Sequence, residues 1–423
     1  MNIAIIGAGI SGLTAAYYLH KTHDVTVYEK NDYIGGHTAT KDVEWQGDKQ
    51  AVDTGFIVYN DRTYPRFISL LEELGIVGQP TEMSFSVSNI ANGLEYNGHT
   101  LQTLFAQRRN LFNPNFYRLI FEILRFNRLA KRALEQSKAL DTTLGDFLIK
   151  HHFSDYFCKH YILPMGAAIW SSTLADMRAF PLGFFLRFFL NHGLLDIVNR
   201  PQWYVIPGGS RSYISPMIAG FKERIFTNAN IGKVVRNANG VVVEVDGQPR
   251  HFDVLIIATH SDEALGLLSD ATKDETTILS AMEYQSNRVT LHTDEALLPK
   301  RKKAWAAWNY RLDAGQGLED KKPVLTYDMN ILQGLKSPHT YCVTLNADEH
   351  IQANRILAQF DYSHPVFSST SIIAQAQKYK IDGTRNTWFC GAYWRNGFHE
   401  DGVASALDVV EKINALAAQG KVA

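Results

Sequence analysis

Asn2-Ile-Ala-Ile-Ile-Gly7-Ala-Gly9-Ile-Ser-Gly12-Leu-Thr-Ala-Ala16 lies at the start of the chain, and its reading decides the fold. A short β-branched run ends in three glycines at G-x-G-x-x-G spacing, and an Ala- and Leu-rich helix follows to about His20. Asp24-Val-Thr-Val-Tyr28 reads as a second strand that ends at Glu29 and Lys30. Strand, glycine turn, helix, strand and terminal acid in this order predict a β-α-β unit that binds a dinucleotide. Gly7 serves the tight turn, Gly9 lets the backbone approach a pyrophosphate, and Gly12 lets the helix pack on the strand. Ile10, Ser11 and Gly12 open the helix, whose N–H groups and positive dipole end face the phosphates. Glu29 stands where a carboxylate can accept from a ribose hydroxyl. The plainer reading is an ordinary glycine-rich turn in an α/β protein.

The whole chain sets outer bounds. At 423 residues it is too long for one simple core, which predicts two domains. A formal net charge of −1 provides no global field to recruit nucleic acid, so electrostatic targeting must come from local patches. Cys158, Cys342 and Cys390 are far apart, without disulfide or zinc spacing. They fit a reducing, cytoplasmic compartment and no metal site. The apolar N-terminus lacks the basic region of a signal peptide, and no run approaches a membrane span.

Further motifs narrow the cofactor. Gly35-Gly36, followed by His37-Thr38, would bring the backbone close to the cofactor a second time. Nicotinamide-binding units do not need this pair, whereas flavoproteins often have it. Asp53-Thr54-Gly55-Phe56 follows, then a helix over about 64–74. With these motifs residues 1–75 resemble the FAD-binding half of the flavin amine oxidase superfamily, which also holds protoporphyrinogen oxidases and carotenoid desaturases. The resemblance implies an α/β fold, in which a Rossmann-like FAD-binding domain is interleaved with an α+β substrate domain. It implies non-covalent FAD touched by Gly35, Gly36, His37, Thr38, Asp53, Thr54 and Gly55. Relatives usually have Arg where this chain has His37.

The resemblance continues downstream. Trp203-Tyr-Val-Ile-Pro-Gly208-Gly209-Ser210 matches the strand that returns to the FAD domain, followed by a helix over about 213–221. The backbone near Val234 would pair with the adenine, and Val254-Leu-Ile-Ile-Ala258-Thr259 reads as a buried parallel strand. Near the C-terminus a strand ends at Gly391, and a helix beginning near Gly402 aims a second N-terminus at the cofactor, with Ala392, Asp401 and Val403 beside it. The superfamily has Glu or Asp where this chain has Ala392, so that contact is either lost or supplied by Glu400 or Asp401. Cys390 is expected to be an inert buried thiol. The division implied is 1–80, 205–265 and 381–423 for FAD, with 81–204 and 266–380 for substrate.

The substrate half is less specific. A basic amphipathic helix over about 115–138 contributes, with Arg108 and Arg109, to seven cations against Glu122 between residues 105 and 132. Lys300-Arg-Lys-Lys303 stands beside Trp305, Trp308 and Tyr310. Each patch reads either as peripheral contact with the inner face of the cell membrane, through 105–132 and 299–310, or as a solvated face with its aromatics inside. The run Phe180–Leu195, with five phenylalanines and five leucines, reads as a buried helix or as the wall of an apolar tunnel.

For catalysis, the candidates near the expected flavin face are His399, Glu400, Tyr393, His292 and Tyr310. Amine oxidases of the superfamily carry a Lys near the flavin; the nearest equivalent strand here has Asn287-Arg288. Gly397-Phe-His-Glu-Asp-Gly402, Leu291-His-Thr-Asp294 and Trp308-Asn-Tyr310 resemble a bacterial branch whose members occur with fatty-acyl-modifying methyltransferases. Some members of that branch desaturate methylated acyl chains on phospholipids during furan fatty acid formation. The resulting expectation is an FAD-dependent oxidoreductase that dehydrogenates a fatty-acyl lipid by hydride transfer to flavin N5. The alternatives are a double-bond isomerase of acyl chains, an amine or porphyrinogen oxidase, or a lipid-binding flavoprotein.

Overall fold

The computed structural model describes residues 1–136, 141–237, 240–313 and 320–419. A five-stranded sheet draws on Asn2–Ile6, Asp24–Tyr28, Ile225–Phe226, Val254–Ile257 and Thr387–Phe389, all parallel. Asn2–Ile6 lies at its centre, between Asp24–Tyr28 and Val254–Ile257. Both faces of a central parallel strand are covered, so Ile3, Ala4 and Ile5 are all fully buried. Each aliphatic side chain of this kind contributes about 1.5–3 kcal/mol by leaving water. Helix Ile10–Leu19 packs with His399–Ala418 on one face. The antiparallel strands Ile231–Asn237, Gly240–Val245 and Gln248–Phe252 cover the other.

A second, seven-stranded sheet contains Phe85–Asn89, Leu94–Asn97, Glu283–His292, Trp308–Leu312, Val324–Asp328, Cys342–Leu345 and Ile356–Val366. Its strand pairs are antiparallel except Trp308–Leu312 with Phe85–Asn89. Ile356–Val366 contains Pro365, whose position reads as a loop in sequence. The strand lies at the sheet edge, where a residue without an N–H can be accommodated. The helices between Leu101 and Asn191 form a separate apolar core beside this sheet. Asn60 to Val58, Thr81 to Gln79 and Trp203 to Val205 form a small sheet that joins the two halves.

Several elements begin or end away from their expected places. The C-terminal helix begins at His399, three residues before Gly402. Asp401 accepts from the Phe398 N–H at 2.9 Å, and an acid in the first turn complements the helix dipole, so the helix starts earlier. Helix Ile214–Ile218 is shorter than expected, because Ser210–Tyr213 forms a separate tight turn. The basic helix spans Pro114–Gln136; the residues expected to end it, 137 and 138, lie outside the described residues.

Candidate active site

The first strand delivers the chain to Gly7, where φ of +104° favours glycine. The three glycines then serve three different ends. An added Cβ at Gly7 would lie 2.9 Å from the Ala258 carbonyl oxygen, and one at Gly12 would lie 1.9 Å from the Gly7 carbonyl oxygen. A Cβ at Gly9 would meet nothing within 4 Å. Gly7 and Gly12 are therefore fixed by packing against the chain itself, while Gly9 borders open space. Helix Ile10–Leu19 has no side-chain cap and no acid in its first turn, leaving its N-terminal field for an anion. Gly35 donates to the Ala8 carbonyl at 2.8 Å, and a Cβ on Gly36 would stand 3.1 Å from Gly9 Cα, so the glycine pair lies against the same turn.

Glu29 is buried at the end of the second strand. Its Oε2 accepts from the Ala8 N–H at 2.8 Å, and its Oε1 accepts from the Asn31 N–H at 2.9 Å. Lys30 points away and pairs with Glu263 on the next helix. Glu29 N–H donates to the Phe226 carbonyl and its own carbonyl accepts from Ala229 N–H, each at 2.9 Å, and the strand register slips between Ile231 and Val234. Val234 itself is core, and its carbonyl accepts from Ser269 N–H and Oγ at 3.3 and 2.7 Å.

The C-terminal helix meets the glycine turn directly. A Cβ on Gly402 would lie 2.8 Å from Ile10 Cγ2 and 2.9 Å from Ser11 Oγ, so two helix N-termini converge. Val403 is fully buried behind them, and Gly391 N–H donates to Ser405 Oγ at 3.2 Å. His399 stacks face to face on Phe56, with ring centroids 3.6 Å apart. Its Nε2 lies 2.9 Å from Tyr213 Oη and 3.2 Å from Thr38 Oγ1. Burial, and then the nearby His37, push its pKa down to about 3. A nitrogen that weakly basic orients partners and does not serve as a strong general base. Phe56, which ends the Asp53-Thr54-Gly55-Phe56 motif, and Tyr213 complete this cluster; Tyr213 carries no motif signal and lies three residues beyond the readable Gly208-Gly209-Ser210 turn.

A second group of rings forms around His37. Its centroid lies 5.7 Å from that of His364, 6.0 Å from His260 and 5.3 Å from Tyr362. Burial, helped by the two other imidazoles, brings the His37 pKa down to about 3, and burial brings His364 to about 4. His37 Nε2 is buried and has no partner within the described residues. An orphaned buried nitrogen beside an open glycine cradle fits a group that the chain is built to receive. Nearby, Thr54 Oγ1 reaches the Ala39 carbonyl and Tyr362 Oη, each at 3.0 Å, and Gly55 packs on the His37 carbonyl.

Four of the catalytic candidates take other roles. Glu400 accepts from the Arg66 and Phe67 N–H groups at 3.2 and 2.8 Å, capping helix Pro65–Glu73. Tyr393 is buried under the opposite face of the parallel sheet. His292 spends both ring nitrogens inside the second sheet, on Thr344 Oγ1 at 2.7 Å and the Asp294 N–H at 3.1 Å. Tyr310 is buried in the helical core. Of the cofactor candidates, Asp53 is consumed by Thr40 Oγ1 at 2.6 Å and by Ser210 N–H and Oγ, each at 2.9 Å. It braces the return loop. Asp401 caps its own helix, so neither it nor Glu400 replaces the acid missing at Ala392, which lies in the turn after Gly391. Cys390 is buried in the FAD-side core with its thiol pushed up to about 12, as expected of an inert residue.

This geometry defines a dinucleotide flavoprotein: an open glycine cradle, two converging helix ends and a buried acid at the second strand. The family model for flavin containing amine oxidoreductases matches residues 10–350, and the chain belongs to that family. AofH of Mycobacterium tuberculosis, assigned as a flavin-containing monoamine oxidase, is 25% identical over 345 residues, covering 78% of this chain and 71% of that protein. A 15-cis-phytoene desaturase of Synechococcus elongatus is 36% identical over 80 residues, 18% of this chain and 15% of that one. The fold matches a fatty acid isomerase from P. acnes with a TM-score of 0.68 at 15% identity, covering 97% of this chain and 98% of that one. It matches putrescine oxidase bound to putrescine with a TM-score of 0.69 at 16% identity, covering 98% and 99%. The protein is a flavin-dependent oxidoreductase with FAD as its cofactor. No helix among the described residues is long and apolar enough to cross a membrane.

Proposed function

We propose that this enzyme dehydrogenates a fatty-acyl chain carried by a phospholipid, in the manner of the furan fatty acid branch. The observation that carries this reading is a cluster of stacked aromatic side chains that ends beside His399. The run Phe180–Leu195 packs as core, the plainer of its two expectations. Yet Phe184 stacks on Phe367 and Phe188 stacks on Phe398, each at 5.1 Å, and Phe398 adjoins His399. A side-chain cluster of this composition suits an alkyl substrate and keeps water from the reacting carbon. FAD, when bound, supplies the two-electron acceptor, and the Gly7–Gly12 turn, Gly35-Gly36, Glu29 and the start of helix 399–418 would hold it.

Making an alkene also requires a proton to leave. We assign its relay to the hydrogen-bonded chain His399 Nε2, Tyr213 Oη and Thr38 Oγ1, where a weakly basic imidazole passes the proton on and does not hold it. The absence of a family lysine weighs against amine oxidation: Asn287 instead bonds His364 Nδ1 at 3.0 Å and Asn346 at 2.9 Å. The test is anaerobic addition of phospholipid vesicles to the yellow protein. Loss of the flavin band with lipid but not with mono- or diamines is expected, and His399→Phe should slow it about 10²-fold or more at unchanged flavin content. Bleaching by amine alone would overturn the reading, while a shifted double bond without net bleaching would identify an isomerase.

A further inference from the structure

Away from the cofactor, helix Pro114–Gln136 exposes apolar side chains where a solvated face would be polar. Tyr117, Phe121 and Leu124 form one stripe at helical spacing, continued by Arg128 and Arg132. Phe121 is 59% exposed, and the preceding turn presents Phe112 at 88%. Leu101, at the start of helix Leu101–Leu104, is 76% exposed. Of the two acids in this helix, Glu122 faces inward and accepts from the Ser154 N–H at 3.1 Å, while Glu135 is exposed in the last turn, beyond Arg132. Between Arg108 and Arg132 the outer face therefore carries cations and no exposed acid. Among the described residues Arg108, Arg109, Arg128 and Arg132 form no ion pair, whereas Arg125 and Lys131 turn inward to the His151 carbonyl and Asp196.

The second basic stretch belongs to the same surface. Lys300 N–H donates to Glu95 Oε1 at 2.8 Å, Asn97 Nδ2 donates to the Trp305 carbonyl at 2.7 Å, and the turn Lys302–Ala304 packs on helix Leu101–Leu104. Trp308 and Tyr310 of that stretch lie in the sheet and take no part in the surface. Beside the first stretch is a cleft of about 370 Å³ lined by Arg109, three further asparagines and Tyr156 around Asn110. Asn110 is 1% exposed, and its Nδ2 has no partner among the described residues. Arg109 Nη2 is anchored on the Gly93 carbonyl at 2.5 Å. A buried unused donor next to an unpaired guanidinium suits an anion with several acceptor oxygens.

We propose that this face docks on an anionic phospholipid bilayer, with Phe112 and Phe121 entering the acyl boundary and the Asn110–Arg109 cleft taking a headgroup phosphate. Exposed aromatic and aliphatic side chains rimmed by unpaired cations complement such a surface in both polarity and charge. The proposal does not depend on the acyl-dehydrogenation reading, since it concerns binding alone. The test is co-sedimentation of the holoprotein at low salt with vesicles of phosphatidylcholine, or of phosphatidylcholine and phosphatidylglycerol in equal parts. Binding to the anionic vesicles should exceed that to the neutral ones about tenfold or more and fall with added salt. Phe112→Asp with Phe121→Asp, and separately Asn110→Leu, should each lower it severalfold, with flavin absorbance and melting temperature retained. Equal sedimentation of these variants, or none of the parent protein, would overturn the proposal. So would a dimer in ultracentrifugation that the paired aspartates dissociate, because the face would then belong to a second copy.

Discussion

The glycine turn and the Phe-rich helix are both tightly packed, but they constrain the chain in different ways. At the turn, backbone meets backbone: Gly12 lies under the Gly7 carbonyl, and Gly36 lies over Gly9. In helix Leu182–Asn191, side chain meets side chain, as where Phe185 stacks on Phe189 at 4.1 Å. The first kind of contact tolerates one residue type at one position. The second tolerates any apolar group of about the right volume. A cofactor site built from backbone is therefore written in spacing, whereas a core built from side chains is not.

Substitutions can break this contrast. Gly12→Leu is expected to have the largest effect, since its Cβ would already overlap the Gly7 carbonyl; the protein should fail to accumulate in folded form. Gly9→Leu faces open space, so the chain should fold but purify without flavin, as absorbance and circular dichroism would show. If both variants lost only flavin, Gly12 would not be a packing position. Phe185→Ala should cost about 3–5 kcal/mol in denaturant unfolding, because Phe185 is fully buried, yet leave flavin stoichiometry intact under native conditions. Flavin loss in that variant would show that the helical core also shapes the cofactor site.

The pH response is smaller and sharpens the same comparison. Burial lowers His37 and His399 to about 3 on the cofactor side, and His192 and His292 to about 4 in the other half. The unfolded chain binds protons that these imidazoles refuse, so they withdraw stability as pH falls below about 6.5. Asp53 and Asp401, raised by burial to about 6, oppose this between about 6 and 4, because the folded chain keeps their protons. Both aspartates lie on the cofactor side. His192→Phe should therefore relieve more of the acid-induced fall in melting temperature than Asp53→Asn, which removes an opposing term and should deepen it. A shallower fall in the Asp53 variant would contradict these assignments.

Legibility in the sequence follows the same division. The strand Asp24–Tyr28 and the helix from Ile10 coincide with their expected places because their signals are local. The edge strand Ile356–Val366 is hidden by Pro365 and by its mixed burial. The ring cluster of His37, His260 and His364 draws on three distant segments, which no spacing rule connects. Glu400 and Tyr393 are of suitable residue type and close to the C-terminal motif. A helix that begins at His399 directs the Glu400 carboxylate to the caps of another helix, and Tyr393 lies under the sheet. Tyr213 becomes visible as a site residue only once its hydroxyl is seen beside His399.

The proposed action of this flavin oxidoreductase on acyl chains held in phospholipid can be tested directly. Its most direct measurement is mass spectrometry of total bacterial phospholipid incubated with the purified protein and an electron acceptor. The account predicts acyl chains lighter by two hydrogens, formed by the parent protein and not by Gly9→Leu. An unchanged lipid profile together with conversion of added amines to aldehydes would contradict it.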